Sequence, residues 1–307
     1  MVAKIKHYSL GLIGYPLAHS LSPGIHLAAL RCMGLAGEYR CFEIQPDSES
    51  AARLDGLLER MKTGILDGLN VTIPFKQRIL NYLDELTPIA AAARAVNTIL
   101  CRDGRLVGDN TDSAGFLADL QRFLPDDNLG VRTALILGAG GAARAVVLAL
   151  LTSGWQLVLA CRNADQGDAL AGDLLPRLIA SGSLKVVPLP FPPGLLKDYS
   201  FSLLINATSA GMAPQDRTNP WPKGASLPAD ALVYDLVYNP PMTEFIRIAR
   251  AAGLQAVSGL GMLVEQAALS FELWTGQSPP RPVLYQEAQH QLSILASHQS
   301  QVHPMGG

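Results

Sequence analysis

The chain of 307 residues is 49% apolar and 16% charged, a balance that excludes overall disorder and leaves length for two modest domains. Lys and Arg number 24 against 26 Asp and Glu, a formal net charge of -2, so the totals offer nucleic acid no basic face. The first half opens with a strand over Tyr8–Gly14. Ser22 then reads as an N-cap before Pro23, starting a helix that runs to Met33 and stops at Gly34. A strand follows over Glu38–Ile44. Leu54, Leu57, Leu58 and Met61 then recur at helical spacing. Leu69–Ile73 is the next strand, ended by Pro74. Val96–Cys101 and Leu106–Asp109 form a hairpin turning at Asp103 and Gly104, and a helix over Ser113–Phe123 leads out. Pro125–Arg132 reads as a domain boundary.

The second half has another rhythm. Apolar strand candidates at 133–137, 156–160, 184–188, 201–205, 231–236 and 254–257 are separated mostly by helical or loop-length segments. Such alternation implies βαβ units and a doubly wound parallel sheet. Two further helices, Met262–Trp274 and Leu284–Ala296, lie outside the alternation, and a polar tail follows from Ser297. No stretch is long and apolar enough for a membrane span, and the start does not read as a signal peptide. Cys32, Cys41, Cys101 and Cys161 form no C-x-x-C pair, so they read as reduced, mostly buried thiols of a cytoplasmic protein. No metal site is expected.

Gly138, Ala139, Gly140, Gly141, Ala142 and Ala143 follow a buried strand and open a helix, giving G-x-G-x-x-A in its proper setting. Gly138 permits the tight turn, Gly140 lets the backbone approach a pyrophosphate, and Ala143 takes the small position where helix and strand meet. The helix start supplies free N–H groups for phosphate. After the second strand comes Cys161-Arg162-Asn163, with an Arg where NAD sites place an acid, which favours NADP with NAD as the alternative.

Asn70-Val71-Thr72-Ile73-Pro74-Phe75-Lys76 and Asp109-Asn110-Thr111-Asp112 both concentrate polar groups at strand ends. Reduction of a ketone needs a hydride and a proton, and a Lys held by a carboxylate can supply the proton. These strings, in this order over about residues 8–278, resemble the shikimate dehydrogenase family. The resemblance implies that Ser20 and Ser22 hold a substrate carboxylate and that Asn70 and Thr72 line the substrate site. Lys76 is then the general acid/base, Asp112 its partner, and Asn97 a ligand of a substrate hydroxyl. It likewise implies that Asn206 and Thr208 of the Asn-Ala-Thr-Ser loop and Gly259 lie by the nicotinamide, and that Leu236 and Met262 bind the cofactor. Tyr238 faces substrate and Gln266 binds a hydroxyl. Gly138 to Ala142, Arg162 and Asn163 complete the cofactor set.

The implied fold is α/β with two lobes. An N-terminal substrate domain covers 1–124 with C-terminal helices over 260–296 returning to it, a Rossmann-type NADP domain covers 125–259, and 297–307 is a frayed tail. The implied activity is reversible, NADP-dependent reduction of 3-dehydroshikimate to shikimate in chorismate and aromatic amino acid biosynthesis, by a monomer or homodimer. One departure stands out: the family's NADP enzymes tend to carry a second Arg where this chain has Gln166. A quinate/shikimate dehydrogenase using NAD or NADP, and a catalytically silent NADP-sensing regulator, are the alternatives.

Overall fold

The computed structural model describes residues 6–124, 132–174, 182–192, 194–213 and 217–302, with side chains through 297. The 125–132 boundary segment, all but Arg132, and residues 303–307 of the polar tail therefore lie outside the described residues, while 297–302 continue the last helix. The chain forms two compact units, Met1–Thr111 with Val264–Gly307, and Asp112–Leu263.

The first unit contains β1 (His7–Gly14), α1 (Ser22–Cys32), β2 (Ala36–Glu43), α2 (Ser50–Lys62), β3 (Gly68–Val71), β4 (Glu85–Leu86), α3 (Pro88–Ala93), β5 (Thr98–Arg102) and β6 (Arg105–Asp109). Its sheet runs β2-β1-β3-β5-β6-β4, parallel around β1 and antiparallel at β3–β5 and β5–β6. The expected β5–β6 hairpin turns at Asp103 (φ 51°) and Gly104 (φ 76°), the two positive-φ positions that a tight hairpin turn requires. Leu54, Leu57, Leu58 and Met61, the stripe read on α2, are buried together with Ile13, Leu69, Phe75 and Ile99 in one core.

The helix α4 (Thr111–Leu120) leads to β7 (Thr133–Leu137), α5 (Gly141–Thr152), β8 (Gln156–Cys161), α6 (Ala164–Leu174), β9 (Ser183–Pro188), α7 (Leu195–Asp198), β10 (Leu203–Asn206), β11 (Leu232–Asp235), α8 (Glu244–Ala251) and β12 (Ala256–Ser258). The sheet of this second unit is β12-β11-β10-β7-β8-β9, parallel at every pairing, so the doubly wound expectation holds. All five residues of β7 are buried, as befits a central parallel strand covered on both faces. Strand order reverses between β7 and β10, and ligands of such sheets bind beyond the carboxyl ends of the strands at that point. The helix α9 (Leu260–Thr275) and α10 (Arg281–Val302) close the chain. None of the described helices is long and apolar enough to cross a membrane.

Several local expectations are corrected. Ser22 is the first residue of α1 rather than its cap: Leu21 takes the cap position, and the Ser20 hydroxyl accepts the Ser22 N–H at 3.3 Å. The third strand stops at Val71, two residues early, because the chain turns at Thr72–Pro74 and Phe75 N–H returns to Thr72 O at 2.9 Å. The 3-10 turn Arg78–Tyr82, β4 and α3 are additions to the expected elements; each is too short for a period to register in the sequence. Only Cys161 is fully buried. Cys32 at the end of α1 and Cys41 on the sheet-edge strand β2 are exposed, and Cys101 is intermediate.

Candidate active site

In the first unit three strand ends and one helix bring polar side chains into a single buried network. Register places Asn70 of β3 opposite Thr98 of β5, and Gln266 and Ser270 lie one turn apart on one face of α9. Asn97 Nδ2 donates to Gln266 Oε1 at 3.2 Å and to Thr111 Oγ1 at 2.8 Å, while Asn97 Oδ1 accepts the Thr111 N–H at 2.8 Å. Asn70 Nδ2 shares its two hydrogens among Asn97 O (3.0 Å), Ser270 Oγ (3.0 Å) and Thr98 Oγ1 (3.3 Å). The Thr98 and Ser270 hydroxyls meet at 2.7 Å, and Ser270 donates back to Gln266 O at 2.9 Å. Buried amides linked this densely favour one orientation, because turning one strands a desolvated polar group.

Ser22, Asn70, Asn97 and Gln266 are buried, whereas Ser20, Thr72 and Lys76 are half-buried and retain solvent contact. The Thr72 N–H extends the β1 ladder to Ile13 O at 2.8 Å, and Lys76 O accepts the Val96 N–H at 2.8 Å. Lys76 thus sits in the turn after β3, as its spacing from Pro74 implied. The sequence reading did not single out Tyr39, His26 or Ser270. Ser270 was accessible in principle, four residues beyond Gln266 on the same helix. Tyr39 gave no local signal, since β1 lies between its strand and β3.

In the second unit the glycine loop leaves β7 as expected. Gly138 has φ 102°, and a Cβ there would meet Thr208 Cγ2 at 2.7 Å and Ala207 O at 3.0 Å, so both conformation and space demand glycine. A Cβ on Gly140 would meet nothing within 4 Å, and no side chain caps α5 at that residue. This leaves an open cradle over a helix start, which fits a pyrophosphate. Arg162 is exposed just past β8. Asn163 spends its side chain on α6, accepting the Gln166 N–H at 3.2 Å.

Beyond β10 the Asn206 amide shapes its own loop. Its Oδ1 accepts Thr208 N–H (3.0 Å) and Thr208 O–H (2.6 Å), and its Nδ2 donates to Asp235 Oδ1 at 2.7 Å. Asp235 also accepts Val237 N–H (3.0 Å) and Thr243 O–H (2.6 Å). Burial raises its carboxyl to about 6 despite these donors. The Leu236 N–H donates to Asn206 O at 2.9 Å, and a Cβ on Gly259 would strike Leu236 O. Asn206, Thr208, Leu236 and Gly259 are thereby gathered at the ends of β10 and β11. Met262 is buried one turn into α9, near which Tyr234 O–H donates to Asp119 Oδ2 at 2.6 Å. Tyr238 is half-buried, with its hydroxyl deep enough for loss of water to push it up to about 12. Asp112 is buried in the first turn of α4. Among the described residues no group of His, Cys, Asp and Glu could hold a metal ion.

Comparison with known proteins places these features in context. The sequence model of the shikimate dehydrogenase substrate binding domain matches residues 12–99, and that of the shikimate 5'-dehydrogenase C-terminal domain matches 259–289. A shikimate dehydrogenase (NADP(+)) of Shouchella clausii is 40% identical over 271 residues, 88% of this chain and 94% of the relative. Among solved structures, shikimate 5-dehydrogenase from Thermus thermophilus in complex with NADP(H) and shikimate superposes with TM-score 0.78 at 36% identity, covering 92% of this chain and 99% of that one. Quinate dehydrogenase from Corynebacterium glutamicum in complex with NAD superposes with TM-score 0.82 at 30% identity, covering 93% and 100%.

Proposed function

This chain belongs to the shikimate dehydrogenase family, and from that premise we propose that it interconverts 3-dehydroshikimate and shikimate with NADP, in the service of chorismate formation. The observation that supports this best is the Asn97–Gln266 contact at 3.2 Å, which joins two hydroxyl-binding amides from distant parts of the chain in one buried network. Lys76 is the proposed acid/base. Its ammonium protonates the forming alkoxide in reduction, and the neutral amine left behind takes the hydroxyl proton in oxidation, with Asp112 as its proposed partner. Ser20 and Ser22 hydroxyls hold the substrate carboxylate. Asn97 and Gln266 orient the ring hydroxyls so that the reacting carbon is presented one way, Tyr238 faces the substrate, and Thr72 lines the site.

When bound, the nicotinamide of NADP supplies hydride in reduction and receives it in oxidation. The open cradle of Gly138 to Ala142 would hold its phosphates, Arg162 its 2′-phosphate, and the loops bearing Asn206, Thr208, Leu236, Gly259 and Met262 its nicotinamide end. The first unit is accordingly the proposed substrate domain and the second the cofactor domain. A second reading, use of quinate or NAD, is favoured by one feature: Arg162 is a single clamp on the 2′-phosphate, with Gln166 in place of another cation.

Absorbance of NADPH and NADH formed from shikimate or quinate with NADP or NAD tests both readings. Shikimate with NADP is expected to give the highest kcat/KM. Equal or faster turnover of quinate with NAD would move the protein to the second reading. Cofactor binding without turnover of either acid would refute both.

A further inference from the structure

We propose that Tyr39, braced by the buried ring of His26, is a positioning residue for substrate recognition that locks the Asn70 amide and, through it, the side chains of Asn97 and Gln266. The inference rests on the reading that Asn97 and Gln266 contact the substrate.

Tyr39 lies on β2 and Asn70 on β3, with β1 between them. Leu10 of β1 pairs Tyr39 and Leu12 pairs Asn70, so the two side chains share a sheet face two residues apart in register. The Tyr39 hydroxyl crosses that gap and donates to Asn70 Oδ1 at 2.9 Å, inside the protein. The orientation of Asn70 is decided by its other end. Asn97 O can only accept, so Nδ2 must face it, and Oδ1 is left pointing at the phenol. Without the phenol, Oδ1 would lose the hydrogen bond that holds it, and the amide would lose a group that opposes its rotation. Rotation would turn a carbonyl oxygen toward Asn97 O and break the donations to Thr98 and Ser270. Thr98 donates to Asn97 Oδ1 at 3.0 Å, and Asn97 Nδ2 donates to Gln266 Oε1 at 3.2 Å, so a disturbance at Asn70 reaches the Asn97 side chain in two hydrogen bonds and that of Gln266 in three.

The phenol is itself fixed. The His26 ring stacks on it with centroids 4.5 Å apart and planes 5° from parallel, and Trp274 leans on His26 at 5.3 Å. Trp274 is anchored by Nε1 donating to Ile99 O at 2.9 Å, over Gly68, where any Cβ would strike its indole. The side chain of Ser22, a proposed carboxylate ligand, neighbours the same phenol. Tyr39 therefore stands behind both ends of the proposed substrate site, yet its phenol is committed inward to Asn70.

Tyr39→Phe removes the hydroxyl and keeps the stack, so the fold is retained. KM for shikimate is expected to rise about five- to tenfold, while KM for NADP and kcat stay within about twofold, as for loss of one buried neutral hydrogen bond felt by one ligand. Ser270→Ala acts through the same amide, so in the double variant the two effects on shikimate KM are expected to fall well short of multiplying. An unchanged shikimate KM, a matching rise in both KM values, or full multiplicativity would overturn the proposal. Wild-type enzyme assayed alongside separates the two levels. If it turns shikimate over and Tyr39→Phe matches it, this inference alone fails; if it does not turn shikimate over, the proposed function fails and takes the inference with it.

Discussion

His26 makes the first unit acid-sensitive in a way that can be isolated. The ring is fully buried between Tyr39 and Trp274, and neither nitrogen has a hydrogen-bond partner among the described residues. Asn70 lies near enough to favour the protonated ring slightly, but desolvation dominates and lowers the pKa from 6.5 to about 3. The unfolded chain therefore takes up a proton below about pH 6.5 while the folded one refuses it. Stability from this group is intact above that pH and is lost progressively as pH falls toward 3. At pH 5 the difference of about 1.5 pH units corresponds to roughly 2 kcal/mol, rising to roughly 3 at pH 4. For a domain of this size the roughly 2 kcal/mol at pH 5 is about 4–8 °C in unfolding midpoint.

The perturbation is His26→Phe, which keeps a flat ring on Tyr39 but cannot titrate, with His26→Leu as a second variant should Phe overfill the site. Thermal unfolding of all three proteins is followed at pH 7.5 and pH 5.0, and the comparison is between pH shifts rather than absolute midpoints. Wild type is expected to lose about 4–8 °C more than either variant over that interval. Parallel losses in all three would show that His26 either charges in the folded state or is not buried, and the reasoning would fail.

Three further outcomes follow from the sites. Lys76→Ala is expected to lower kcat by about two to four orders of magnitude with a smaller change in shikimate KM, since its proton is needed chiefly in the transition state; a change confined to KM in steady-state assays would contradict this. Arg162→Ala is expected to raise KM for NADP by about tenfold or more and leave KM for NAD nearly unchanged, because only NADP carries the 2′-phosphate it would pair with; equal effects on the two cofactors would remove that role. Gly138→Ala combines φ 102° with a clash against Thr208 and Ala207. It is expected to weaken binding of both cofactors while shikimate binding, measured by calorimetry without cofactor, is preserved; unaltered NADP binding would show that the turn can relax.

How far the sequence reached depended on whether the signal was local. The doubly wound sheet, the α2 stripe, the Asp103-Gly104 turn and the glycine loop are written in runs of neighbouring residues, because strand and helix periods and positive-φ turns are properties of short segments. The family strings likewise marked Asn70, Lys76, Asn97, Asp112 and Gln266 without any coordinates. The 3-10 turn at Arg78–Tyr82 and the helix α3 escape such a reading because a single turn has no period to detect. Ser22 reads as a cap because the sequence shows Ser before Pro, while the structure starts the helix one residue earlier and gives the backbone N–H to Ser20.

What only the tertiary structure decided is which side chains answer one another across the sheet. Tyr39 and Asn70 are 31 positions apart and separated by a strand, and Asn97 and Gln266 are 169 apart. No pattern along the chain joins them. Their pairing follows from strand order β2-β1-β3, from register, and from the close approach of Trp274 that Gly68 permits. The sequence by itself determined the residue types at the site and the periods that build each layer. Folding alone determined that an ordinary-looking helix histidine and an edge-strand tyrosine would be buried behind those residues, because burial and hydrogen-bond partnership are set by what packs from elsewhere in the chain.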